Sequence, residues 1–194
     1  MPTIVEKGGR VNTVCLSSFE TPGKKIIRVV QGEFAISGDR EALMTTILGS
    51  CIAVCLCDPV ARIGGINHFL LPGDGDGASG TAKYGAFAME QLVNALLRGG
   101  ASRSRLEAKV FGGGRVVSGL SDIGERNAAF ALNYLSTENI RVVSKSVEGE
   151  RARRIEYVPT TGSARQKFVD SRQAPAVKPK MPVAPPTSGD VDFF

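Results

Sequence analysis

The chain has 194 residues, 42% of them hydrophobic, and a formal net charge of +5. That length suits one domain with a proper core, and no apolar run approaches the ~18 residues of a membrane-spanning helix. Four cysteines do not make a disulfide scaffold here, and the opening Met-Pro-Thr-Ile-Val-Glu-Lys lacks the regions of a signal peptide; reduced thiols in a cytoplasm are expected.

Residues 1–25 read as a loosely ordered arm, holding Gly8, Gly9, Pro22 and Gly23. Ile26–Val30 and Glu33–Ile36, split by Gln31-Gly32, read as a short hairpin. Residues 43–57 form an apolar, β-branched run broken at Gly49-Ser50 and closed by Asp58-Pro59. Gly64–Leu71 is a further strand, stopped by Pro72. Residues 73–80 are a glycine-rich mobile loop whose two aspartates miss the calcium-loop spacing.

Residues 82–98 have helical periodicity, with Tyr84, Ala88, Leu92, Ala95 and Leu96 on one face and Gly99-Gly100 as the stop. Leu106–Phe111 is a strand. The following Gly112-Gly113-Gly114 lacks a phosphate-loop ending, and is either a strand-exit turn or a close backbone approach beside a cleft. Residues 124–138 form a second helix with Ala128, Ala131, Leu132 and Leu135 inward. Residues 140–147, 152–158 and 163–169 alternate like an antiparallel meander. Its basic residues, among them Arg141, Arg154, Arg165 and Lys167, interleave with Glu148, Glu150 and Glu156 without aromatic stacking partners, so no nucleic-acid partner is expected. Beyond residue 170, five of the ten prolines fall in 175–186, and residues 171–194 read as a disordered tail.

His68 is the only histidine. Any thiol that needs an imidazole base must therefore use it. Cys51 stands seventeen residues earlier, at the end of Thr-Thr-Ile-Leu-Gly-Ser-Cys. Gly49-Ser50 lets the backbone turn just before the sulfur, and such a turn can aim N–H groups at one point, as an oxyanion hole requires. The alternative is an ordinary buried cysteine after a glycine bend, with His68 as a satisfied core residue. Thr45 or Thr46 either orients the imidazole or serves only as a β-former. A zinc site built from Cys51, Cys55, Cys57 and His68 is disfavoured, because a strand separates the outer cysteines by about 20 Å. Cys55 and Cys57 read as small buried hydrophobes.

The string Thr45 to Val54, with Asp58-Pro59, Gly64-Gly65-Ile66-Asn67-His68 and Leu71-Pro72, resembles the chemoreceptor glutamine deamidase family, CheD. Lys83-Tyr84, Leu106 to Lys109, glycines 112–114, Ile123-Gly124, Arg126-Asn127 and the Arg151–Tyr157 region also match. The resemblance spans roughly residues 26–168, which makes 26–170 the deamidase domain. It implies an α/β fold, a layered α/β sandwich with mixed, largely antiparallel strands and two main helices. It implies hydrolysis of receptor glutamine side chains to glutamate and ammonia by Cys51, His68 and Thr45, the threonine six positions before the cysteine. Gly49, Ser50 and Asn67 are candidate oxyanion or substrate-positioning residues.

No metal or organic cofactor is implied. The implied partners are methyl-accepting chemotaxis receptors and a CheC-type phosphatase, with no direct membrane insertion. Imidazolium beside Cys51 would lower the thiol's pKa. Two other activities use the same groove: hydrolysis of a receptor methyl ester by the same thiol, or non-catalytic docking of receptors or the phosphatase.

Overall fold

The computed structural model describes residues 4–7, 10–12, 23–71, 77–116 and 121–169. A seven-stranded sheet contains β1 (Ile4–Lys7), β2 (Arg10–Asn12), β4 (Glu33–Ser37), β6 (Ile52–Asp58), β7 (Ile63–Phe69), β8 (Glu107–Gly112) and β9 (Arg141–Val147), in the order β2-β1-β4-β7-β6-β8-β9. A four-stranded sheet contains β3 (Lys25–Arg28), β5 (Ala42–Leu48), β10 (Ala152–Val158) and β11 (Ser163–Val169), in the order β11-β10-β5-β3. Pairing is antiparallel except between β8 and β9 and between β3 and β5. Helices α1 (Gly77–Arg98) and α2 (Ser121–Thr137) cover the outer face of the larger sheet. The result is a layered α/β sandwich with mixed, largely antiparallel strands.

Strand alternation builds two cores. From β6, Ile52, Val54 and Leu56 pack with Phe69, Met89 and Leu92 beneath the helices. Ala53 and Cys55 of the same strand pack with Met44, Leu48, Ile66 and Tyr157 between the sheets. Every residue of β6 and β7 is buried, as a strand covered on both faces must be. Each fully buried aliphatic side chain contributes about 1.5–3 kcal/mol. These two strands are therefore a stiff support for whatever their ends carry. Among the described residues no helix is long and apolar enough to cross a membrane.

The helix α1 begins at Gly77, so residues 77–80 are helical rather than loop. Its buried stripe is Met89, Leu92, Val93 and Leu96, whereas Tyr84 is 40% exposed and not inward. Gly85 holds the inward position instead, where a Cβ would meet Phe130 of α2 and Leu71. A glycine adds nothing to hydrophobic periodicity, which is why the expected stripe takes Tyr84 at its start, while its Leu92, Ala95 and Leu96 are buried as expected. In α2, Ala128, Ala131 and Leu135 are buried, with Leu132 packed beside them.

Two expectations about pairing are corrected. β3 and β4 are not a hairpin: β3 runs parallel to β5, and β4 pairs with β1 and β7 in the other sheet. The meander loses its first strand, since β9 joins β8 while β10 pairs with β11 and β5. Alternation identifies a strand but not its sheet, which burial against the rest of the fold decides. The N-terminal arm contributes β1 and β2 to the edge of the larger sheet. Cys15 and the tail 171–194 lie outside the described residues.

Three crossings between the sheets meet at one end of the sandwich: Arg28 to Glu33, Leu48 to Ile52, and Val147 to Ala152. At the other end Asp58, fully buried, accepts the backbone N–H groups of Val60, Ala61 and Ser102 and pairs with Arg105 at 2.8 Å. Burial alone would raise its pKa, but Arg105 and the three N–H groups together hold the carboxyl well below the usual carboxylate range.

Candidate active site

Cys51 sits on the crossing from β5 to β6, and His68 on β7. The β6–β7 register sets Ala53 opposite His68. Cys51, two residues before Ala53, is then a diagonal neighbour of His68 on the same sheet face, the one turned toward the smaller sheet. From that sheet Thr46 places its Oγ1 2.8 Å from His68 Nδ1. Cys51, His68 and Thr46 are 4%, 5% and 4% exposed. His68 Nε2 is buried with no hydrogen-bond partner among the described residues.

The hydroxyl that meets the imidazole is thus Thr46's, not Thr45's. Along β5, Met44, Thr46 and Leu48 are buried inward, while Thr45 is half-buried on the opposite face. Adjacent strand residues cannot both face one neighbour. Asn67 is also displaced from its expected place. It follows the same alternation away from Cys51 and into the helix layer. There its Oδ1 accepts from the Val54 N–H at 3.0 Å and its Nδ2 donates to the Ala88 carbonyl at 3.1 Å.

Gly49 and Ser50 are in place beside the sulfur, and their carbonyls are all engaged elsewhere. The Gly49 carbonyl accepts from the Gly114 N–H at 2.8 Å, and the Cys51 carbonyl from the Gly113 N–H at 2.8 Å. The Ser50 carbonyl accepts from Asn127 Nδ2 at 2.9 Å, while Asn127 Oδ1 takes the Leu71 N–H at 2.8 Å. A planar peptide directs its N–H opposite its carbonyl, so pinning these oxygens turns the Ser50 and Cys51 N–H groups the other way. The glycine run is therefore a close backbone approach. Gly112 has φ +118° and a Cβ there would lie 2.1 Å from the Cys51 carbonyl oxygen, so only glycine fits.

Burial pushes the Cys51 thiol up to about 12, only partly offset by its own backbone N–H. Burial also lowers His68 to about 4, partly offset by the Val29 backbone. Burial thus favours a neutral thiol and a neutral imidazole over the thiolate–imidazolium pair expected from residue types. Cys55 and Cys57 are buried, and burial raises Cys57 to about 11. On α1, burial raises the Tyr84 pKa.

Two residues at the site escaped sequence reasoning about chemistry. Asn127 is fully buried in the apolar face of α2, and a polar side chain at a core position of the helical period is the signal that could have found it. Gln31 accepts a hydrogen bond from the Cys51 thiol at 3.4 Å. Its place in a surface turn carries no sequence signal at all.

A family model described as CheD chemotactic sensory transduction matches residues 70–168. The chain is 52% identical over 173 residues to a probable chemoreceptor glutamine deamidase CheD of Caulobacter sp. (strain K31), covering 87% of this chain and 92% of that one. The chain belongs to the CheD family. It is also 46% identical over 175 residues to the protein of the same name from Agrobacterium fabrum, covering 88% and 97% of the two chains. A crystal structure of a Neisseria meningitidis protein of family DUF152 is similar at 12% identity with a TM-score of 0.42, covering 66% of this chain and 65% of that one. The family match lies beyond Cys51 and His68 in the chain, while the two relatives span most of its length.

Two outcomes test this CheD-family site. Because His68 is the only histidine, one imidazole NMR signal reports on it. Thr46→Val will shift its Nδ1 resonance and Thr45→Val will leave it in place; the reverse would restore Thr45 as the partner. His68 also links stability to acid. Its folded pKa is depressed, so its contribution is fully present above the unfolded value of 6.5 and falls away as pH drops toward about 4. Urea unfolding will show a loss on the order of 2 kcal/mol between pH 7 and pH 5, and His68→Gln will remove that part of the slope.

Proposed function

We propose that this chain hydrolyses the side-chain amide of glutamines on chemotaxis receptors, with Cys51 as nucleophile, His68 as base and acid, and Thr46 as the residue that orients the imidazole. The observation that carries it is the Thr46–His68 contact across the two sheets, on the face that also holds Cys51. The relatives' name, chemoreceptor glutamine deamidase, supplies the substrate class.

With Thr46 Oγ1 accepting from Nδ1–H, the proton-free nitrogen of His68 is Nε2, which is buried and has no hydrogen-bond partner among the described residues. That tautomer is the one a base requires. As the sulfur attacks the carboxamide carbon, the thiol proton moves to Nε2. The carbonyl oxygen becomes an oxyanion beside the backbone N–H of Cys51, the group that already favours negative charge on the sulfur. His68 then gives its proton to the nitrogen, the C–N bond breaks and ammonia leaves. Water, deprotonated by His68, cleaves the thioester to glutamate and returns the thiol. A neutral resting pair fits proton transfer coupled to attack, and keeps the buried sulfur protonated between turnovers. The steps use the chain's own side chains and water, and the reaction belongs to the cytoplasmic part of the receptor.

The test is mass spectrometry of a receptor fragment incubated with the protein. Conversion of glutamine adds about 1 Da per site and releases one ammonia, and Cys51→Ala abolishes both while keeping the fold. Methanol release with no glutamine conversion would assign a methyl esterase instead. No covalent change in the fragment, despite binding, would leave an adaptor for receptors or a CheC-type phosphatase.

A further inference from the structure

The turn between β3 and β4 crosses from the smaller sheet to the larger one over the end where Cys51, His68 and Thr46 meet. It is fastened to the site's own backbone. The Gly32 N–H donates to the His68 carbonyl at 2.7 Å, and the Val29 N–H to the Thr45 carbonyl at 3.0 Å. Gly32 has φ +84° with nothing near where a Cβ would be, and Val30 beside it is 52% exposed. Gln31 at the tip is exposed, yet its side chain reaches down to a sulfur whose residue is only 4% exposed, and the thiol donates to Oε1 at 3.4 Å. Gln31 therefore lies on the solvent side of the nucleophile.

The group it presents is a primary carboxamide on a glutamine side chain, the same chemical group the proposed reaction consumes. We propose that Gln31 is a built-in stand-in for substrate: its carboxamide occupies the subsite of the incoming glutamine amide, and the β3–β4 turn must release it before a receptor glutamine can enter. This rests on the deamidase function proposed above. The thiol meets the oxygen end of the Gln31 amide, so the contact is a hydrogen bond rather than an approach to the carbonyl carbon, and the turn's anchor on the His68 carbonyl keeps it so. The seated turn also accounts for the burial of Cys51. With Gln31 withdrawn, water and substrate reach the sulfur; with it seated, the thiol is capped and protected from adventitious acyl donors and oxidants. An exposed turn with an open glycine hinge is cheap to move, while the strands beneath it are not.

Two readouts on Gln31→Ala test this, one of which is independent of the deamidase function. Alkylation of Cys51 by iodoacetamide, followed by peptide mass spectrometry, will run about fivefold faster than in the parent chain, the effect of releasing one ordinary hydrogen bond. Gln31→Glu will run slower than the parent, because a carboxylate beside the sulfur opposes thiolate formation. On a receptor fragment Gln31→Ala will raise kcat/KM about fivefold through a lower KM. Unchanged alkylation in Gln31→Ala would overturn the proposal. So would a fall in kcat at constant KM, which would make Gln31 a donor to the oxyanion. Faster alkylation with no deamidation by either protein would support the capping by Gln31 and overturn the deamidase function alone.

Discussion

The arrangement depends on one backbone contact, the seating of Gly113 and Gly114 N–H groups on the carbonyls of Cys51 and Gly49. Three crossings between the sheets converge at that end, and each is tied to the next. The Glu148 N–H donates to the Gly112 carbonyl, and the Arg115 N–H to the Gly149 carbonyl, so the β9–β10 crossing holds the glycine run. Buried Arg153 holds that crossing in turn, donating to the Ser146 and Glu148 carbonyls. Asn127 adds a side-chain clamp from the helix layer onto Ser50. A cysteine on a free loop would sample many orientations. Here both carbonyls flanking it are already engaged, and the strand that follows is buried on both faces.

The same packing sets the electrostatics. Placing thiol and imidazole between two sheets takes both from water, and desolvation pushes their pKa values apart in the direction that leaves each neutral. Thr46 carries a side-chain hydrogen bond from the smaller sheet to the imidazole, so that contact exists only when both sheets are in register.

Much of this was legible in the sequence. The break at Gly49-Ser50, the solitary His68 and the alternation of 43–57 and 64–71 locate Cys51, His68 and the two central strands. What was not legible depends on which sheet a strand joins. Ile26–Val30 and Glu33–Ile36 alternate convincingly and are separated by a good turn, yet they belong to different sheets. The turn between them therefore spans the site instead of closing a hairpin. That Thr46 and not Thr45 faces the imidazole was hidden for a related reason: spacing along the chain does not say which face of β5 is turned inward. Asn67 adjoins His68 in sequence and is lost to the site by the same two-residue period.

The central claim is that the Cys51 sulfur, buried between the sheets, becomes covalently joined to the substrate glutamine. Rapid acid quenching of the protein mixed with a receptor fragment, followed by intact-mass and peptide analysis, tests it directly. The account predicts a transient adduct equal to the fragment less one ammonia, attached at Cys51 in the parent chain and missing from a His68 variant, which can neither take the thiol proton nor protonate the departing ammonia. Glutamate formed at the full rate with no adduct at any time, or an adduct on Cys55 or Cys57, would contradict it.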